Sequence, residues 1–132
     1  MAFAIDGGAV LPCFAATHLG ERVPVKLVEG ATARIVAPVA SLNEETIGFT
    51  QTSASSGYAV EVQGVGNIVK AVAAASVGAG ADVALGSPNG ALGPVAAASG
   101  VVKYKSGVSL SDAAAGEVFS VYVNPRQLSG IA

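Results

Sequence analysis

Apolar and polar positions alternate with a period of two in short runs along this chain, and turn residues end each run before a helical period develops. Val23, Val25 and Leu27 share one face of a strand over residues 23–28, which Pro24 places at a sheet edge or a strand start. A turn at Glu29 and Gly30 precedes a second strand over 33–36, which Pro38 stops. Residues 41–45 read as a turn or single helical turn, because Ser41 is followed three positions later by Glu44. Strands follow over 47–52, 58–63 and 64–72. The alanine-rich stretch 71–80 reads as a packed loop, since Gly78 and Gly80 oppose the helix that alanine favours. Val83 and Leu85 mark another strand, and SPNG over 87–90 is a turn with proline preset and Asn-Gly tolerant of positive φ. Strands over 92–95 and 101–105 come next, and Asn124 with Pro125 is expected to close the last one.

One stretch occurs twice. GFTQTSASSGYAVEV over 48–62 aligns without a gap on GVSLSDAAAGEVFSV over 107–121, with Gly48, Ala54, Gly57 and Val62 matched by Gly107, Ala113, Gly116 and Val121. Each copy reads as a β-hairpin: a short strand, a small-residue turn ending in glycine, and a second alternating strand. Gly57 and Gly116 fit turn positions that need permissive backbone angles. The fold class is therefore all-β, a small β-barrel or sandwich of short strands. Its expected parts are an extended N-terminal arm over 1–22, one β-domain over 23–124 made of strand-turn units, and a tail over 125–132.

Composition changes this picture in one respect. Charged residues make up only 12% of the chain, against about 25% in an average soluble domain. Hydrophobic residues reach 52%, mostly Ala and Val, with no Trp. So few charges cover a domain surface thinly, which points to a surface partly covered by other protein chains. Net charge of −2 gives no sign of a nucleic-acid partner, and no apolar run is long enough for a transmembrane helix. The N-terminus is a poor signal peptide, and a single cysteine fits a reducing cytosol without a disulfide framework.

Candidate chemistry is sparse. His18 and Cys13 could form a nucleophilic pair or begin a metal site, but each stands alone, and a packed, inert Cys13 is the stronger expectation. Asp6 has no second acid nearby, and adjacent Glu44 and Glu45 read as a solvated turn. The GVG and GAG tripeptides over 64–66 and 78–80 lack the third glycine and the lysine of nucleotide-binding loops. No G-x-S-x-G elbow occurs. Lys103 and Lys105 flank Tyr104 and read as a solvated strand edge. No catalytic, cofactor or metal residues are assigned.

The order VPVKLVEG, IGFTQTSASSGYAVEVQG, ADVALGSPNGAL, SGVSLSDAAAGEVFSVYV resembles the small capsid decoration (cement) proteins of tailed bacteriophages over roughly residues 23–123. The shared elements are the repeated hairpin, a strand of the G-D-x-V kind (here GADV over 80–83, with one added alanine) and an Asn-Gly turn at Asn89 and Gly90. The resemblance implies a non-enzymatic structural protein of the virion. Such a protein is made in the host cytoplasm and sits on the outer capsid surface, where it braces contacts between major capsid protein subunits. It also implies a homo-oligomer, trimer favoured over dimer, without cofactor, nucleic-acid or membrane partners. The resemblance does not reach the ends of the chain. Their apolar content without a period makes Phe3, Ile5, Val10, Leu11, Phe14, Leu128 and Ile131 the expected capsid or subunit interface. The alternatives are another β-rich virion subunit, such as a tail-tube or head-fibre protein, and a small β-barrel ligand-binding module.

Overall fold

A computed structural model of the chain describes residues 9–30, 33–96 and 102–128, and all regular structure among them is strand. Ten strands follow in order: β1 Val10–Ala15, β2 Pro24–Leu27, β3 Ile35–Pro38, β4 Gly48–Thr50, β5 Ala59–Gln63, β6 Ile68–Val72, β7 Asp82–Leu85, β8 Leu92–Pro94, β9 Lys103–Ser109 and β10 Val118–Leu128. The first five close into a barrel in the order β1-β3-β2-β4-β5, with β5 pairing back to β1. The last five form a sheet in the order β6-β10-β9-β7-β8. A parallel bridge between Ala73 and Leu92 brings its two ends together.

These two units are the same structure made twice. Reading β6 for β1, β7 for β2, β8 for β3, β9 for β4 and β10 for β5 turns the first strand order into the second. The registers agree residue by residue. Val25 lies opposite Gly48 and Val83 opposite Gly107; Thr50 lies opposite Val62 and Ser109 opposite Val121. Isolated bridges join Leu19 to Ala54 in one unit and Val77 to Ala113 in the other. Arg22, with φ of 58°, stands where the second unit has Gly80, with φ of 84°. The hairpin repeat read from the sequence is thus the visible part of a duplication running from β1 to the middle of β10. The chain holds a closed barrel and a second five-stranded sheet of the same plan, its ends joined by the single bridge between Ala73 and Leu92, which is called the second barrel below.

Narrow barrels explain the composition. A closed sheet of few strands encloses little space, so small and branched side chains fill it. Leu19, Val25, Val36 and Val62 are fully buried in the first barrel, and Val83, Leu92 and Val121 in the second. At about 1.5–3 kcal/mol for each large aliphatic side chain buried, Val and Leu hold such a barrel without Trp.

Three expectations change. Residues from Val10 onward do not belong to an arm: β1 pairs with β5 along its length and with β3 in parallel, because Leu11, Cys13 and Ala15 alternate inward. Residues 1–8 lie outside the described part. Asn124 and Pro125 do not end the last strand. The register of β10 against β9 shifts between Val123 and Arg126, and such a bulge accommodates a proline that cannot donate to the ladder, so β10 continues to Leu128. Lys105 is not at a solvated edge. It is 4% exposed, and its Nζ donates to Asp82 Oδ1 at 2.9 Å. Elsewhere the sequence reading agrees: residues 73–80 lie between strands without helix, and Gly90 carries the positive φ of the 87–90 turn.

Candidate functional site: the outer sheet faces

No group of three or more His, Cys, Asp or Glu side chains able to hold a metal ion occurs among the described residues. Cys13 points into the first barrel, 2% exposed, and burial pushes its thiol pKa upward despite the Arg34 charge nearby. His18 is exposed, so the two do not share an environment. Glu44 is more than a solvated turn residue. Its carboxylate pairs with Lys26 Nζ and accepts hydrogen bonds from the backbone N–H of Ala40, at 2.7 Å, and of Ser41, at 3.3 Å. The Lys26 hydrogen bond comes first among the causes that hold the Glu44 pKa below the ordinary carboxylate range. This pair lines a shallow hollow of about 610 Å³ together with Leu27, Val28, Glu29, Glu45 and Ile47. Its chemistry is that of a loop clamp, with Glu44 tying the 40–44 turn to β2.

Exposed apolar side chains concentrate on the outer faces of the two barrels. On the second barrel, Ile68 and Val108 both lie opposite Tyr122, and Val72 lies opposite Val118. Leu110 continues this face, its N–H donating to Ser120 O. Ile68 is 66% exposed, Val118 50%, Leu110 47% and Tyr122 39%. Lys70 and Ser120 are the polar members, and Lys70 Nζ donates to Ser120 Oγ at 2.9 Å. The matching face of the first barrel carries Val10, Pro12 and Phe14 of β1 opposite Gln63, Glu61 and Ala59 of β5. Tyr58 immediately precedes β5 and is the most exposed large hydrophobic side chain among the described residues, at 70%.

Of the residues expected at an interface, Val10 and Phe14 are therefore on the surface, 46% and 49% exposed. Leu11 points inward and packs on the first core, and Leu128 is buried at the end of β10. Phe3, Ile5 and Ile131 lie outside the described residues. The Ile68, Leu110, Val118 and Tyr122 face was not anticipated. The signal for it was present, because Ile68 and Tyr122 occupy the outward parity of strands whose inward residues are Val69, Val121 and Val123.

The sequence matches no protein-family model and no curated protein. Its fold is similar to that of a solved structure described as the head fiber gp8.5 N base in bacteriophage phi29. The TM-score is 0.66 over 89% of this chain and 94% of that one, at 13% identity. The shared all-β architecture thus extends over nearly the whole of a phage head-fibre base, while at that identity the likeness is one of fold.

Proposed function

We propose that this chain is a structural subunit of a bacteriophage virion that docks on the outer surface of the capsid and braces contacts between major capsid protein subunits. The observation that carries this reading is the fold match along 94% of a phage head-fibre base. It joins the independent resemblance of the repeated hairpins to capsid decoration proteins. The physical features fit a binding protein: two small barrels, low charge, and apolar sheet faces in contact with water. A contiguous apolar face of this kind is ordinarily an interaction surface. Many copies on one closed shell would add weak individual contacts by avidity. In this reading the chain works as a homo-oligomer, trimer favoured, with no catalytic activity.

A second reading has the fold comparison directly behind it: the chain is the base that attaches a fibre to the head. The two share a capsid-facing contact and differ in what lies above it.

The test is addition of the purified chain to expanded capsids that lack outer decoration, followed by sedimentation and thermal challenge. Saturable co-sedimentation with a raised capsid rupture temperature supports bracing. Binding without any change in rupture temperature favours a fibre base, and no binding refutes both.

A further inference from the structure

The two barrels meet through one side of β4, and also where Leu42 O accepts from Tyr104 N–H at 2.8 Å and Thr46 Oγ1 lies 2.8 Å from Ser106 Oγ. Phe49 faces away from its own barrel, lies fully buried, and joins the core of the second barrel with Val69, Val121 and Val123. Beside it the Gln51 side-chain amide engages the outer edge of β6, accepting from Lys70 N–H at 3.0 Å and donating to Lys70 O at 3.1 Å. The seam between β6 and β8, where this contact occurs, is held by a rung from Ala74 N–H to Leu92 O at 2.7 Å. One side of a barrel of this type is therefore built to receive another barrel.

The duplication places the same two sides on the chain once more. The counterparts of Phe49 and Gln51 are Val108 and Leu110, half-buried and exposed. The counterpart of Lys70 is Pro12, exposed on β1. The exchanges match one another. Gln51 offers an amide to a strand N–H and C=O, whereas Leu110 is apolar and Pro12 has no N–H to satisfy. Pro12 O already accepts from Arg34 Nη1 at 3.3 Å. Phe49 enters a seam held by the Ala74 rung, whereas the β1–β3 seam has rungs from both Phe14 and Ala16, to Arg34 O and Val36 O. The shorter Val108 suits that closed surface. Val10 and Phe14 flank Pro12, and Tyr122 and Ile68 extend the row from Val108, so apolar surface meets apolar surface. Lys70 lies on one face, and Glu61 together with Arg34, which holds Pro12 O, on the other, so Lys70 has an acid to face as well as a cation.

We infer that a second copy of this chain occupies these faces, in a head-to-tail contact that sets the β9 side of the second barrel, with Val108 and Leu110, on the β1 side of the next copy's first barrel, around Pro12 and Phe14. The contact repeats between copies what β4 and β6 do within one. Being heterologous, it closes into a ring when the rotation per copy divides the circle. The inference deepens the homo-oligomer reading above and names its surfaces.

Mass photometry and sedimentation velocity of the full chain test it. The wild type is expected as a closed oligomer. Leu110→Asp, on one side, and Phe14→Asp, on the other, are each expected as monomers, with self-affinity reduced at least 100-fold. Both replace exposed residues, and circular dichroism checks that each is folded. Leu110→Ser and Phe14→Ser serve if either aspartate variant is not. Mixing the two variants leaves one intact pair of faces, so equimolar mixtures must form dimers and nothing larger. A monomeric wild type, single variants that still assemble fully, or a mixture that stays monomeric each overturns the contact. A monomer that nonetheless binds capsids overturns this contact alone. A ring that binds no capsid supports the contact and overturns the proposed function.

Discussion

Gly48 and Gly107 occupy equivalent places at the start of the repeated hairpins, and replacing either by alanine should be among the most damaging small changes available to this chain. A Cβ on Gly48 would stand 2.7 Å from Val62 Cγ1 and closer still to the backbone oxygen of Gln63. One on Gly107 would stand 2.7 Å from Val121 Cγ1 and closer still to Tyr122 O. Neither obstacle is a flexible side-chain end, so relief requires the paired strand to move. Overpacking of this kind costs about 1–3 kcal/mol, and the backbone neighbour puts both sites at the upper end, about 3 kcal/mol. Gly57 and Gly116 supply the internal control. They have φ of 84° and 88° with nothing within 4 Å of an added Cβ, so alanine there costs only the left-handed backbone, about 1–2 kcal/mol. Urea and thermal denaturation followed by far-UV circular dichroism measure all four. At roughly 3–5 °C per kcal/mol for a chain of this size, the Gly48→Ala and Gly107→Ala melting points should fall by about 9–15 °C. If these two cost no more than Gly57→Ala and Gly116→Ala, the close-approach explanation is wrong. If Gly48 and Gly107 differ widely from each other, the equivalence of the barrels is wrong.

Asp82→Asn should cost about 3 kcal/mol by leaving the Lys105 ammonium buried without its partner, whereas Lys105→Met should be near neutral; equal costs in urea titrations would contradict the buried-pair reading. Glu44, its pKa depressed in the folded state, contributes stability that is present above the unfolded carboxylate pKa and lost as pH falls through the folded one. Glu44→Gln should therefore flatten the acid limb of the stability–pH profile and leave a smaller wild-type advantage at low pH than at neutral pH. Cys13 should react with a thiol reagent at least 100-fold more slowly in the native chain than in urea, and rapid native labelling would mean the first barrel opens readily.

The strands were legible because inward positions recur every second residue in short runs, as at Val60 and Val62 or Val69 and Ala71. The hairpin repeat was legible because its turns need glycine at fixed places. The rest of the duplication was not, because core equivalence requires only similar volume: Leu19 corresponds to Val77, Val36 to Leu92 and Val60 to Phe119, with no identity to notice. β1 was hidden by Pro12, which reads as an interruption but sits on the outward side of a strand whose inward residues are regular. Lys105 read as solvated because its partner, Asp82, is 23 residues away and meets it only through the β7–β9 pairing. The interface residues followed the same rule. Val10 and Phe14 fall on the outward parity of β1 and Leu11 on the inward one, a distinction that exists only where the segment is a strand.

The claim that this chain is a head-surface subunit is tested most directly by cryo-electron microscopy of virions carrying a labelled copy. The account predicts label and a pair of small barrels on the outer capsid surface, in contact with more than one major capsid protein subunit. Label confined to the tail, or absent from purified particles, would contradict it.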